Sequence, residues 1–455
     1  MCSNHLIQKY NVPGPRYTSY PTVPYWDASG FSGENWKTLA AETFRATNAS
    51  EGISLYIHLP YCESMCTFCG CHKRITTRHE VESPYINALL AEWKLYVDLF
   101  GEAPVIREIH LGGGTPTFFS PENLKTLMEG ILKYAKKAAD HEFSFEGHPN
   151  NTTYEHLKVL RSVGFTRVSY GVQDYSPIVQ KAINRIQPFD KVKKVTEMAR
   201  ELGYESISHD LVYGLPFQTL GDIIDTINKT IPLMPDRIAF YSYAHVPWIK
   251  GNGQRGFDEK DIPSGEEKRK LYETGKVLLK ELGYQEIGMD HFAQSDDALY
   301  KAMTAGHLHR NFMGYTPSKT SLMVGLGASS ISDSWTAFAQ NEKNIDTYIS
   351  LVQQGEIPVY RGHILTGEDL VIRQHILNLM CQLKTSWKDE NLCFDQLPQV
   401  LIKLTEMEDD GLITIAEDSI TVTEKGRPFV RNICMAFDLR LQRNNPNTQL
   451  FSMTI

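Results

Sequence analysis

Between about residues 51 and 245, short apolar runs rich in β-branched residues alternate with longer helix-like stretches. That alternation predicts a parallel sheet assembled from strand–helix units. Six strands are expected, at Leu55–Leu59, Ile106–Leu111, Glu142–Glu146, Arg167–Val172, Ile207–Tyr213 and Arg237–Tyr243. Helices are expected between them at Ser83–Leu99, Pro121–Ala138, Asn151–Val163 and Phe189–Leu202. Right-handed crossovers would curl such strands into an α/β, partial TIM-like (β/α)6 barrel, with its chemistry at the strands' C-terminal ends.

The flanks differ from this pattern. Residues 1–50 read as an arm rich in Pro, Tyr and Thr with little periodicity, 51–245 as the barrel, 246–365 as an extension that completes the active site, and 366–455 as a mostly helical C-terminal domain. In the last of these, Thr366-Gly367-Glu368-Asp369 has the form of a capping box that opens an amphipathic helix. A helix around Leu397–Met407 and strands at Leu412–Ile415 and Ser419–Thr423 suggest a winged-helix-like module. Leu397 to Gly426 holds seven acids against two lysines, so packing or a lid role is expected there in place of DNA binding.

Composition narrows the class. The chain has 455 residues, is 42% hydrophobic and carries a net charge of −8, which opposes a general nucleic-acid surface. No run of 18 apolar residues appears, and Met1-Cys2-Ser3-Asn4-His5 does not open a signal peptide. A cytoplasmic protein with no membrane partner is the expectation, and a reducing compartment suits iron-bound thiolate.

Half of the cysteines stand together, as Cys62, Cys66, Cys69 and Cys71, directly after the first strand. The first three have C-x3-C-x2-C spacing, which lets one loop ligate three irons of a cube and leaves the fourth iron open to a substrate or cofactor. A structural zinc site favours paired C-x2-C knuckles, and Cys2, Cys381, Cys393 and Cys434 are isolated. A disulfide cluster would need an oxidising compartment.

Polar residues mark the other strand ends. Gly112-Gly113-Gly114-Thr115-Pro116 follows strand two, Glu146 ends strand three, Gln173-Asp174 follows strand four, Asp210 lies in strand five and Ala244-His245 follows strand six. The glycines expose backbone at a tight turn, which by itself is also what a plain connection does. Glu146, Gln173, Arg185 and Asp210 would converge on a cavity where a ribose diol, a carboxylate and an ammonium need partners. Tyr56 and Phe68 are aromatic candidates for stacking on an adenosine, or core residues. Three more segments mix aromatic and cationic side chains, around Arg16, at Gly288-Met289-Asp290-His291-Phe292 and at His309-Arg310-Asn311-Phe312. That mixture suits an aromatic macrocycle with acidic arms, because arginine pairs with carboxylates through a planar fork.

C-x3-C-x2-C with Phe68 before the third cysteine resembles the signature of radical S-adenosylmethionine (SAM) enzymes. Pro13-Gly14-Pro15-Arg16-Tyr17-Thr18-Ser19-Tyr20-Pro21-Thr22, the cysteine loop, the triple glycine, Gly171-Val172-Gln173-Asp174, Gly288–Phe292 and Arg431-Asn432-Ile433-Cys434-Met435 together closely resemble the oxygen-independent coproporphyrinogen III dehydrogenases, also called oxidases. The resemblance runs across nearly the whole chain. It implies a [4Fe-4S] cluster that cleaves SAM to methionine and a 5′-deoxyadenosyl radical, which takes hydrogen from the β-carbon of a propionate. Loss of CO2 and one electron then leaves a vinyl group, and two such rounds give protoporphyrinogen IX in haem synthesis.

By position, the resemblance assigns Cys62, Cys66 and Cys69 to the cluster, with Cys71 a family feature outside the ligand set. Tyr56, Gly113, Glu146, Gln173, Arg185 and Ile331 are implied for the SAM on the open iron. Phe68, Gly114, Thr115, Asp210 and Ala244 are implied for a second SAM, and Arg16 for a substrate carboxylate. A tetrapyrrole substrate, an electron donor, an unidentified electron acceptor and a monomeric state complete the expectation, with no nucleic-acid partner. The chain departs from the family at Gly147-His148, where an acidic residue usually precedes the proline, and at Thr67, where an aromatic is common. A haem-binding chaperone is the first alternative, but such proteins typically lack the fourth cysteine and the arginine-bearing arm. The second, an electron carrier, would need Cys71 as a fourth ligand.

Overall fold

Side chains at alternate positions of the expected strands are buried and, His209 excepted, apolar: Leu55 and Ile57, Ile109 and Leu111, Phe143 and Phe145, Val168 and Tyr170, Ile207 and Leu211, Ile238 and Phe240. In the computed structural model, which describes residues 4–27, 29–248, 253–254, 256–444 and 449–454, these belong to six adjacent parallel strands. They are β1 (Ile53–Leu59), β2 (Val105–Gly113), β3 (Lys136–Gly147), β4 (Phe165–Gln173), β5 (Ser206–Tyr213) and β6 (Arg237–Ser242). The register brings Leu55 beside Ile109, Ile109 beside Phe143, Phe145 beside Val168, and Val168 beside Ile207, so the outward rows form one apolar surface for the helices.

The intervening positions carry Tyr56, His58, Glu108, His110, Glu142, Glu146, Arg167, Asp210 and Tyr241, which therefore face inward. Toward the strands' N-terminal ends this inner face is closed by charge pairing. Arg167 pairs with Glu142, and Arg237 donates to Asp297 at 2.8 Å and stands 3.7 Å from Glu142. Burial pushes the Glu142 carboxyl up, yet the two guanidiniums outweigh it and hold it below the usual range.

The sheet is open and longer than six strands. Met323–Leu326 continues it parallel to β1, followed by antiparallel Ile331–Asp333, Ala337–Asn341 and Val359–Ile364. Beyond β6, His291–Ala293 and Gln285–Gly288 extend the other edge. No helix among the described residues is long and apolar enough to cross a membrane.

Three sequence expectations need correction. The helix expected at Pro121–Ala138 ends at Leu132, because Lys136 and Lys137 pair with Val105 and Ile106 and begin β3. The helix expected from Asn151 starts at Tyr154, after a capping box between Thr153 and His156. Within the arm, Gly33–Thr47 is a helix capped by Ser32 and Asn35, and it buries Trp36, Ala40 and Phe44 at four-residue spacing. Phe44 stacks on Phe100 at 4.1 Å, and Trp36 Nε1 donates to Tyr96 Oη at 2.9 Å.

The C-terminal part contains the expected helices Gly367–Gln382 and Leu397–Asp409, the first opened by the Thr366 capping box. Its small sheet adds a strand to the two expected, in the order Lys384–Ser386, Ser419–Val422, Ile413–Ile415. Tyr17 and Tyr20 from the arm are buried in this module's core with Ile372, Ile376, Leu404 and Phe437. Cys2 lies outside the described residues.

Trp36 is fully buried, so Trp36→Ala is expected to cost about 3–5 kcal/mol, read as a lower denaturant midpoint. Ile402→Ala, at a side chain 73% exposed, is expected to stay within about 0.5 kcal/mol.

Candidate active site

The loop after β1 is pinned at its base, where Arg74 N donates to Pro60 O at 2.8 Å and Thr76 N to Cys62 O at 2.9 Å. Its far side is tied to the segment after β4. Thr67 donates from its amide to Ile183 O and from its hydroxyl to Ala182 O at 2.8 Å, and Asn184 Nδ2 donates to Met65 O at 2.8 Å. The small hydroxyl at position 67 thus has a structural use that an aromatic would lack. Lys73 Nζ donates to the carbonyls of Cys69 and Cys71, and Arg185 Nη1 stands 3.6 Å from Cys66 Sγ.

Held this way, Cys62, Cys66, Cys69 and Cys71 all border one cleft of about 530 Å3, a volume ordinary for a small-molecule or cofactor site. Phe68, Gly113, Gly114, Thr115, Glu146, Gln173, Arg185, Asp210, Ala244 and Arg16 border the same cleft. Tyr56 and Ile331 do not line it. Tyr56 lies beneath, stacked on His110 at 6.1 Å with its hydroxyl 3.1 Å from His58 Nδ1. Ile331 stands on the second strand beyond β1 and packs against the cluster of Trp26, Phe338 and Leu365.

Local geometry explains the glycines. Gly113 has φ of +112°, and a Cβ there would stand 2.5 Å from the His58 ring. A Cβ on Gly114 would meet the Pro60 carbonyl carbon at 2.6 Å. The turn is therefore packed against the base of the cysteine loop, and Thr115 Oγ1 lies 3.3 Å from Cys62 Sγ.

Glu146 accepts from the Gly113 amide at 3.3 Å and lies 3.5 Å from His110 Nε2, whose Nδ1 is 2.8 Å from Ser144 Oγ. Burial works against its charge, but His110, the amide and His58 outweigh it and hold the carboxyl below its usual range. Across the cleft Asp210 goes the other way. Burial pushes it up to about 7 despite a 2.8 Å hydrogen bond from Ser169. Two carboxyl groups in one cleft are thus pushed in opposite directions by their surroundings.

Gln173 reaches the cleft through a register irregularity of β4 and a φ of +69°. Arg185 donates to Gly171 O at 2.6 Å, while its buried Nε lacks a hydrogen-bond partner among the described residues. His148, at the departure from the expected acidic residue, accepts from Asn150 N at 3.1 Å through Nδ1. It closes the turn as a carboxylate would and leaves Glu146 in place. Burial, aided by Arg185, pushes its pKa down to about 2, so it is neutral.

Arg16 donates to Asp290 at 3.1 Å and to Ser242 O at 2.8 Å, and Asp290 is held at a φ of +66°. Arg310 does not border the cleft. Its guanidinium lies 4.5 Å from the centroid of the Tyr315 ring and donates to the carbonyls of Tyr17 and Arg16, so it supports the arm. Sequence reasoning missed His58, His110 and Gln254. The first two carried a signal, their place on the inward two-residue period; Gln254, which donates to Phe68 O and Ala244 O at 3.0 Å, carried none.

These residues fit an iron–sulfur cube and a small cationic cofactor. Burial pushes the Cys62 thiol up to about 11, whereas a hydrogen bond from Cys71, with Lys73 and Arg185 nearby, draws Cys69 down to about 6. Coordination to iron removes both protons. The unpartnered Arg185 Nε and the anionic Glu146 supply groups for a ligand beside the cysteines.

Residues 56–230 match the Radical SAM superfamily. The chain is 38% identical over 442 residues to an oxygen-independent coproporphyrinogen III oxidase of Helicobacter pylori, covering 96% of each. It is 38% identical over 455 residues to that of Escherichia coli K12, covering 99% of this chain and 98% of the other. The solved coproporphyrinogen III oxidase of Escherichia coli, described as a radical SAM enzyme, superposes with a TM-score of 0.89 at 34% identity over 96% of this chain and 99% of that one.

Gly114→Ala sets a Cβ against backbone, whereas Gly70→Ala has no atom within 4 Å. After anaerobic reconstitution, Gly114→Ala is expected to lose most of its bound iron and Gly70→Ala to retain it, by iron analysis and thiolate-to-iron absorbance.

Proposed function

The chain belongs to the oxygen-independent coproporphyrinogen III oxidases, within the radical SAM superfamily, and from that membership we propose how its own residues serve the reaction. The enzyme converts two propionate side chains of coproporphyrinogen III to vinyl groups, using SAM and a [4Fe-4S] cluster in haem biosynthesis. Each round removes one hydrogen atom from the β-carbon, releases the carboxylate as CO2 and passes one electron to an acceptor.

The observation that carries the assignment of residues is the single cleft in which three thiols of one loop, a glycine turn, Glu146, Asp210 and Arg16 meet. Cys62, Cys66 and Cys69 hold the cluster, and Cys71 acts as hydrogen-bond partner to Cys69. When bound, the cluster and SAM supply the one-electron chemistry that removes hydrogen from an unactivated carbon. Gly113, Glu146, Gln173 and Arg185 hold the SAM beside the open iron, with Tyr56 and Ile331 supporting that side from behind the cleft wall. Glu146 keeps its charge and so suits an ammonium.

Phe68, Gly114, Thr115, Asp210 and Ala244 face the second SAM position. Arg16, tethered by Asp290 and the Ser242 carbonyl, offers its remaining donors to a substrate carboxylate. Gln254 joins the cysteine loop to the end of β6 and so holds the two sides of the cleft in place. A low-potential protein or chemical donor reduces the cluster, the polypeptide acts as a monomer, and residues 246–365 complete the site built by 51–245.

The test is anaerobic turnover with reductant, SAM and coproporphyrinogen III. Expected are 5′-deoxyadenosine, CO2 and a divinyl product, all absent in Cys66→Ser. An intact cluster with tight haem binding and no CO2 would contradict the decarboxylase reading and favour a haem carrier.

A further inference from the structure

Behind Arg16 and Ser242, which also border the cleft, lies a second cavity of about 50 Å3, walled by the helix Gly265–Glu281, the turn at 288–290 and the helix Val430–Phe437. It is large enough for a carboxylate or a few waters and too small for a pyrrole ring. Its cations outnumber its anions. Arg16, Lys268, Arg269, Arg427 and Arg431 line it, against Asp290 and Glu286.

Most of these charges are already matched. Arg269 pairs with Glu273, Glu286 is 2.7 Å from Lys276 and 3.6 Å from Arg427, and Asp290 is taken by Arg16. Among the described residues neither Lys268 nor Arg431 forms an ion pair with a carboxylate. Lys268 Nζ donates to Tyr243 O at 2.9 Å. Buried Arg431 donates to the carbonyls of Gly14, Pro15, Met453 and Thr454, and so fixes the arm that carries Arg16. Unmatched cationic charge in a closed space is costly, and an arriving anion removes the cost.

We propose that this chamber receives one carboxylate arm of the bound tetrapyrrole, with Lys268 as a donor in its wall and Arg16 between it and the cleft. The inference rests on the substrate reading above and extends it. Anchoring one arm here fixes the rotation of the macrocycle and so selects which propionate lies beside the reacting atoms. Lys268 is a specificity-determining residue in this account, and Arg431 a positioning residue that acts through the arm.

The chamber is also sensitive to pH. Burial, with Arg16 and Arg431 adding to it, draws the Lys268 ammonium down to about 7, against the opposing pull of Asp290. Of the other titratable groups near it, His245 is drawn below its ordinary value by burial, with Lys268 adding to the shift against the pull of Glu259. Burial raises the phenols of Tyr213 and Tyr272 far above neutrality, and the Arg431 guanidinium, though drawn down by burial and Arg16, stays charged. Lys268 is therefore charged below about 7 and loses its charge as pH rises through that value, and carboxylate affinity falls with it.

The probes are coproporphyrin III, the oxidised fluorescent form of the substrate, and its tetramethyl ester, each titrated into cluster-loaded protein. Lys268→Gln is expected to weaken the acid by about tenfold, as for loss of one charge-assisted hydrogen bond. Lys268→Arg is expected to retain affinity, and the ester to bind all three proteins alike. For the wild type the acid should bind more weakly as pH rises through about 7, a step that Lys268→Arg abolishes. Cluster absorbance reports folding of each variant. If Lys268→Gln does not load a cluster, the pH comparison of wild type with Lys268→Arg decides, and the same step in both overturns the proposal. Equal acid affinity of wild type and Lys268→Gln overturns the chamber and leaves the tetrapyrrole reading intact. Failure of the wild type to bind the acid at all overturns both.

Discussion

Neighbouring side chains on a β-strand point to opposite faces, and the rest of this structure depends on how that two-residue period is filled. Along β1 to β5 the outward positions are mostly Leu, Ile, Val, Phe and Tyr, which seal against the helices, with the exception of buried His209, whose Nε2 lies 3.0 Å from Thr196 Oγ1, and the inward ones are largely polar. A one-residue slip in any strand would exchange those rows. The same register sets Tyr56, His110 and Ser144 side by side beneath Glu146, and Ser169 within hydrogen-bonding reach of Asp210. Fold and site are thus consequences of one pattern. The charge pairs of Arg167 and Arg237 close the end of the inner face away from the cysteine loop.

The second constraint is long-range. Arg16 reaches the cleft from an arm near the N-terminus because Arg431, more than four hundred residues later, grips the carbonyls of Gly14 and Pro15. Tyr17 and Tyr20 are buried in the C-terminal module, and Arg310 donates to the carbonyls of Tyr17 and Arg16. The C-terminal module therefore holds the arm that carries Arg16.

The parallel strands were legible because β-branched runs recur between helix-like stretches, and the cysteine loop because three thiols at that spacing have few uses. What escaped the sequence did so for physical reasons. Residues 133–138 are rich in types that favour helix, but pairing with β2 overrides propensity there. The helix Gly33–Thr47 buries only Trp36, Ala40 and Phe44 among polar neighbours, a stripe too thin to stand out in a Pro- and Tyr-rich arm. Tyr56, expected at the site from the motif, lies below the cleft, since its inward position comes well before the strand end. Gln254 gave no periodic signal because it works from an irregular connection.

The central claim is that three thiolates leave one iron open for SAM. Electron–nuclear double resonance of the reduced cluster with SAM isotope-labelled at its amino nitrogen and carboxylate tests it most directly. The account predicts hyperfine coupling from both labels to the cluster, retained in Cys71→Ala. Bound SAM with no coupling, together with loss of the cluster in Cys71→Ala, would mean a cube closed by four cysteines and would contradict it.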